Sequence, residues 1–146
     1  MSGMTPAKLA RILSRARVPV VRAGTYIYGP DPYYRTPLST YNPEHDLMHL
    51  MDDEVEACLH EHGHTFNVKC LRPEHQQLLR EWWHKPNRIW WWGEKGREPM
   101  FPGPEALCEV FADVYSWAAQ SRHPKYRRFK KLLRIAAKEA GYAPTT

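Results

Sequence analysis

The sequence is short of cysteine. Cys58, Cys70 and Cys108 are an odd number with no CxxC spacing. That excludes a disulfide-stapled scaffold and a cysteine-based zinc site, and it fits a reducing, cytoplasmic compartment. No apolar run approaches the ~18 residues that a membrane-spanning helix needs, so no membrane partner is expected. The N-terminal stretch MSGMTPAKLARILSRARVP is basic and amphipathic. It lacks the continuous apolar centre and the small-residue cleavage site of a secretory signal. No internal repeat, low-complexity tract or linker interrupts the chain, so its 146 residues read as one domain, 1–146, with a single core.

Acid is missing from one segment. Arg122, Lys125, Arg127, Arg128, Lys130, Lys131, Arg134 and Lys138 follow one another with no aspartate or glutamate among them, in a chain of net charge +5 and pI near 9.2. Such a run can touch nucleic acid or another anionic partner, or it can simply be a solvated helix face.

Apolar residues make up 42% and charged residues 25%, the balance of a globular rather than a disordered protein. Thr5-Pro6 starts a helix as N-cap and first-turn proline, with Leu9, Ile12, Leu13 and Ala16 at helical spacing up to Arg17. Residues 18–28, VPVVRAGTYIY, read as strand broken near Ala23-Gly24. Residues 29–43 carry four prolines and read as a loop or extended edge segment. Asp52 or Asp53 can cap a helix running to about Phe66, whose start could also lie at Pro43. Further helices are expected over Pro73–Lys85, Pro104–Gln120 and Pro124–Ala140, the last stopped by Gly141. Arg88–Trp92 reads as a short strand and Gly93–Gly103 as turns. The sum is an α+β fold, mostly helical with a short sheet.

The chemistry concentrates in His60-Glu61-His62-Gly63-His64, an HExxH pattern. Positions four apart stack on one helix face, so His60 and His64 can present imidazoles to one ion. Glu61 sits beside that face, able to reach a water at the ion but poorly placed as a ligand. Two histidine ligands and a carboxylate base are what a metalloprotease needs. A catalytic zinc ion (Zn2+) takes three protein ligands and keeps one position open. The HExxHxxGxxH solution fails, because Cys70 stands where a third histidine would be. A glutamate from a later helix is the other solution. Glu109, in PEALCEVFADVYSW, is the candidate, with Glu105 one turn earlier in reserve. Asp113, one turn later, can accept a hydrogen bond from the outer nitrogen of a ligand histidine. Val110, Phe111, Val114 and Trp117 pack the rest of that helix.

HEHGH followed by EVFAD resembles the gluzincin zinc metallopeptidases. It is most similar to the catalytic domains of anthrax-lethal-factor-like peptidases, with HExGH and then ExFAE, and to small ImmA-type metallopeptidases. The resemblance covers roughly residues 52–120. It implies a small zincin-like (minigluzincin-like) domain and zinc-dependent hydrolysis of a protein or peptide substrate. It also implies His60, His64 and Glu109 as zinc ligands, Glu61 as general base and Asp113 as the group that orients a ligand. Asp113 is one methylene shorter than the family's glutamate. The family's oxyanion-stabilising tyrosine has no counterpart in FPGPEALC, which leaves Tyr115, Tyr126 and His123 as substitutes without a basis for choice.

Three other readings compete. HEHGH can be an exposed helix whose histidines have no function. The chain can be an inactive zincin-like module that docks nucleic acid or protein through its basic C-terminal helix. His45-Asp46-Leu47-Met48-His49, with Glu61 after it, resembles the HDxxH…E motif of a ubiquinone-biosynthesis zinc protein. Otherwise His45 and His49 lie near the cleft or are structural, and Asp46 is a surface or capping acid. His62 is expected to be exposed, His75, His84 and His123 to be surface histidines, and Cys58 and Cys108 to pack as small apolar groups. Trp82, Trp83 and Trp90 to Trp92 could stack bases or line a peptide cleft; core packing, with some alternating outward in a strand, is the simpler expectation. An extended substrate would add to a sheet edge supplied by residues 18–28, Arg88–Trp92, or both.

Overall fold

The first helix begins where a hydroxyl meets a proline. Thr5 Oγ1 accepts the Lys8 amide at 3.1 Å, and helix α1 runs Pro6–Arg15 with Leu9, Ile12 and Leu13 buried. The protein is seen here as a computed structural model that describes residues 3–83 and 104–142. Lys85, the Arg88–Trp92 strand, the Gly93–Gly103 turns, His84 and Trp90 to Trp92 lie outside the described residues.

Three short strands follow: β1 (Thr25–Tyr28), β2 (Thr40–Asn42) and β3 (Leu47–Leu50). They form a sheet in the order β1-β3-β2. β1 runs parallel to β3, with Thr25 opposite Leu47 and Tyr28 opposite Leu50. β2 runs antiparallel to β3, with Thr40 opposite His49 and Asn42 opposite Leu47. The central strand is buried throughout, as expected when both faces are covered. Met48 and Leu50 join the main core. His49 faces the segment that carries Asp31, whose carboxylate lies 4.0 Å from its ring.

The expected strand over 18–28 is a ladder only over its last four residues. Residues 18–24 lie outside the ladder, and side chains of later helices serve three of their carbonyls. Tyr115 donates to the Pro19 carbonyl at 2.9 Å, His62 Nδ1 to that of Val21 at 3.3 Å, and Lys69 to that of Arg22 at 3.0 Å. The proline-rich stretch is both things expected of it: mostly loop, with the edge strand β2 near its end.

Helix α2 spans Val55–Cys70, with Glu54 at its N-cap. The expected caps are engaged otherwise: Asp53 pairs with Lys8 at 2.9 Å, and Asp52 Oδ1 accepts the Glu54 amide at 3.0 Å. The residues before α2 form β3, so no helix starts at Pro43. Helix α3 is Pro73–Trp83 and helix α4 is Pro104–Gln120. The expected C-terminal helix is a 3-10 turn, Pro124–Tyr126, then α5, Arg127–Glu139. Gly141 ends it at φ +88°, the left-handed conformation that glycine adopts without strain. The α+β architecture, mostly helical with a short sheet, is as the sequence predicted. Its core joins Phe66 of α2, Phe111 and Tyr115 of α4, and Phe129 of α5.

Candidate metal centre

Helix α2 has work on two faces. Cys58, Leu59 and Phe66 are buried in the core, while His60 and His64, one turn apart, look into a cleft. Helix α4 lies against α2, and Gly63 sets how closely. A Cβ on Gly63 would fall 2.8 Å from Ala112 Cα and 3.1 Å from Tyr115 Cβ. Neither is a flexible chain end that could swing aside. The glycine of HEHGH therefore lets the alanine of EVFAD seat against α2, which carries Glu109 and Asp113 to the two histidines.

The result is a tight polar centre. Glu109 Oε1 lies 3.3 Å from His60 Nε2, and Glu109 Oε2 lies 3.0 Å from His64 Nε2. The two Nε2 atoms are 3.1 Å apart. On the far side of His60, Nδ1 donates to Asp113 Oδ1 at 2.9 Å, which fixes the ring and turns Nε2 toward the centre. Glu61 stands beside the group: one ligand atom from each of His60, Glu61 and His64 lies within 4.8 Å of the others.

These groups could hold a metal ion. In a tetrahedral site with bonds of ~2.0–2.1 Å, neighbouring donor atoms are separated by about 3.3 Å. The two Nε2 atoms are 3.1 Å apart, near that edge length, and each imidazole has a different oxygen of the Glu109 carboxylate at 3.0–3.3 Å. Burial opposes charge on His60, but the bonds to Asp113 and Glu109, with Glu61 nearby, outweigh it and raise its pKa to about 10. Hydrogen bonds from His60 and His64 hold the Glu109 carboxyl far below the usual carboxylate range. Both carboxylates thus favour a proton on His60. A metal would have to displace that proton, so its binding is linked to pH. Burial pushes Glu61 up to about 7 against the pull of His60 and His64. A carboxyl there can both take and return a proton near neutrality.

No family model, curated protein or solved structure matches this chain.

The centre forms one wall of a cleft of about 1080 Å3. Thr40 and Tyr41 of β2 supply part of the opposite rim, with Ser39, Pro43 and Met51. Asp52, Glu54, Glu56 and Asp113 also line it, and no lysine or arginine does among the described residues. The strand at the cleft is thus β2, an edge strand within the stretch that the sequence marks as loop or extended edge segment. β1 lies at the other edge of the sheet and contributes nothing to the lining.

Several expectations are corrected. His62 is not exposed but fully buried. Two residues from His60 on a helix is the opposite face, and here that face is the core. Its Nδ1 donates to Val21, the Tyr26 hydroxyl lies 3.5 Å from its Nε2, and burial lowers its pKa to about 4. None of the proposed oxyanion substitutes lines the cleft. Tyr115 is buried on Pro19, Tyr126 is buried, and His123 is an exposed cap that accepts the Lys125 amide. Tyr41 does line the cleft, with its hydroxyl on Asp46 at 2.9 Å. Glu105 lies on a part of α4 whose side chains fall outside the description. Cys58 is buried as expected, but Cys108 is half-buried, lines the cleft and receives the Asn67 amide at 3.3 Å.

His45 and His49 do not stack as a helical pair, because His45 sits in a turn and His49 on β3. His45 stacks on Tyr33 at 4.3 Å. His49 is 1% exposed, and neither ring nitrogen has a hydrogen-bond partner. Asp46 is a clasp rather than a simple surface acid: it takes the Lys69 ammonium at 2.9 Å and the Tyr41 hydroxyl. His75 is buried. With Glu74 and Glu139 it forms a second group whose ligand atoms could reach one ion. Its Nδ1, however, accepts the Arg72 amide at 3.0 Å. The ring proton of a neutral imidazole therefore sits on Nε2, facing Glu139 at 3.6 Å. Arg72 Nη1 shares that carboxylate at 3.5 Å. The group pins the start of α3 to the end of α5.

Proposed function

We propose that the protein is a zinc-dependent peptidase. The observation that carries this reading is the convergence of His60, His64 and Glu109 within 3.0–3.3 Å in the wall of an open cleft, with a buried carboxylate beside them. When bound, zinc supplies Lewis acidity and brings the ionisation of water to a pKa of about 7. His60, His64 and Glu109 hold the ion. Asp113 keeps the His60 ring aimed at it. Glu61 takes a proton from the attacking water as the new C–O bond forms, then passes it to the amine nitrogen, after which the scissile C–N bond breaks. The edge of β2, which has no further strand beside it among the described residues, offers backbone groups to an extended peptide, and Thr40 and Tyr41 mark its path.

The test is Glu61→Gln compared with His60→Ala, His64→Ala and Glu109→Ala. The wild type should carry about one zinc per chain. Glu61→Gln should keep zinc and lose hydrolysis of a peptide library, and the other three should lose zinc. Undiminished cleavage by Glu61→Gln would remove Glu61 from the base role. A wild type that binds no zinc would reduce the centre to an ion-paired joint between α2 and α4.

A further inference from the structure

The positive charge of this protein is segregated. Eight lysines and arginines between Arg122 and Lys138 exceed the net charge of +5, so the rest of the chain is acidic on balance. The cleft shares that acidity, through Asp52, Glu54, Glu56 and Asp113. The cations gather on α5. Phe129, Leu132, Leu133, Ala136 and Ala137 turn one side of this helix into the core. The opposite side exposes Arg127, Lys131, Arg134 and Lys138. Steps of four, three and four residues put them on one stripe about 16 Å long at 1.5 Å per residue.

Two further features keep this from being an ordinary salt-bridged face. No carboxylate pairs with any of the four among the described residues. Glu139, the acid next to the stripe, is engaged by Arg72 and His75. Like charges also crowd one another across elements. Lys130 gives its ammonium to the Ser121 carbonyl rather than to an acid. Burial, then Arg134, then Arg17 from the end of α1 lower its pKa. Arg17 is itself exposed and is anchored there by its amide on the Ala119 carbonyl at 2.9 Å. The positive field therefore spreads from α5 onto the end of α1.

We propose that the exposed face of α5, extended by Arg17, is a docking surface for the phosphate backbone of duplex DNA. A lipid surface fits less well, because the apolar side of α5 is already spent on the core and only Ile135 is left outside. Single-stranded bases fit less well, because the stripe carries no aromatic platform. Regularly spaced guanidinium and ammonium groups match a line of phosphates, and such contacts position a protein on a duplex without reading its sequence. The surface lies apart from the acidic cleft, which repels a polyanion, and it acts whether or not the cleft hydrolyses peptides.

The experiment is fluorescence anisotropy of a labelled duplex of about 20 base pairs with the full chain, titrated at several salt concentrations. Four phosphate contacts predict a slope of log K against log salt of about −3.6, or roughly a hundredfold loss of affinity between ~50 and ~200 mM salt. Replacing Arg127, Lys131, Arg134 and Lys138 together by alanine should weaken binding at least tenfold and flatten the slope, with the circular dichroism spectrum unchanged. If that variant fails to fold, each single replacement by glutamine should reduce the slope by about 0.9. Wild-type binding by the fourfold variant, or unchanged slopes in the single variants, would overturn the proposal. Failure of the wild type to bind at the lowest salt would also overturn it. Competition by polyglutamate as effective as unlabelled duplex would reassign the surface to an acidic protein.

Discussion

Gly63→Ala sets two effects of known size against each other. In a helix interior, alanine is better than glycine by about 1 kcal/mol, so propensity alone predicts a more stable protein. The packing predicts the reverse. The new methyl carbon would sit 2.8 Å from Ala112 Cα and 3.3 Å from Ala112 Cβ, whereas carbons in good contact stand ~3.5–4.0 Å apart. The first of those neighbours is backbone, so relief requires α2 and α4 to part by roughly 0.7–1.2 Å. Overpacking of this kind costs about 1–3 kcal/mol. The net effect should be destabilisation of up to about 2 kcal/mol. Its functional trace should be larger. The ligand separations of 3.0 and 3.3 Å to Glu109 cross that same interface, and metal–ligand distances tolerate only ~0.2 Å. Zinc affinity should therefore fall at least tenfold, which is about 1.4 kcal/mol. Guanidinium unfolding of the metal-free protein reads the first effect as a lower midpoint at unchanged m, and competition with a chelator reads the second. A Gly63→Ala protein that is about 1 kcal/mol more stable and binds zinc as before would refute the close approach.

Asp113→Asn keeps the shape but not the charge at His60 Nδ1, so zinc affinity should drop roughly 10–100-fold while folding is largely retained, measured by the same competition. Asp46, which is not among the groups of the centre, supplies a pH test. Although burial acts against it, the bonds from Lys69 and Tyr41 hold its pKa below the ordinary value. A carboxyl depressed on folding stabilises above its unfolded pKa of ~3.9 and loses that contribution as pH falls through the lower folded value. The stability gap between wild type and Asp46→Asn, measured by urea unfolding, should therefore be widest above about pH 5 and shrink with acid. A gap that grows on acidification would contradict the clasp.

The parts of the fold that depend on neighbours in sequence were legible. Thr5-Pro6 and the Leu9, Ile12, Leu13 spacing marked α1, and the bounds of α4 follow its periodicity. The pairing of His60 with His64 followed from helical pitch, and Glu109 and Asp113 fell where the spacing of EVFAD put them. What stayed illegible depends on distant partners. β3 is hidden in HDLMHL because its two histidines, four apart, mimic a ligand motif, while the strand exists only through β1 and β2. Residues 18–24 have strand composition, yet side chains of α2 and α4 take the place of a neighbouring strand. His62 and His75 look like surface residues until the core is known to lie behind them. The role of Gly63 shows only when Ala112 is placed opposite it.

The bond from Tyr115 to the Pro19 carbonyl joins positions 96 residues apart. During synthesis, the N-terminal stretch VPVVRAGTYIY emerges long before the side chain that fastens it. At ribosomal rates of ~5–20 residues per second, it waits roughly 5–20 s. For that interval the segment lacks its native partner, and Pro19 and Arg22 inside it oppose the pairing with other chains that its valines and tyrosines would favour.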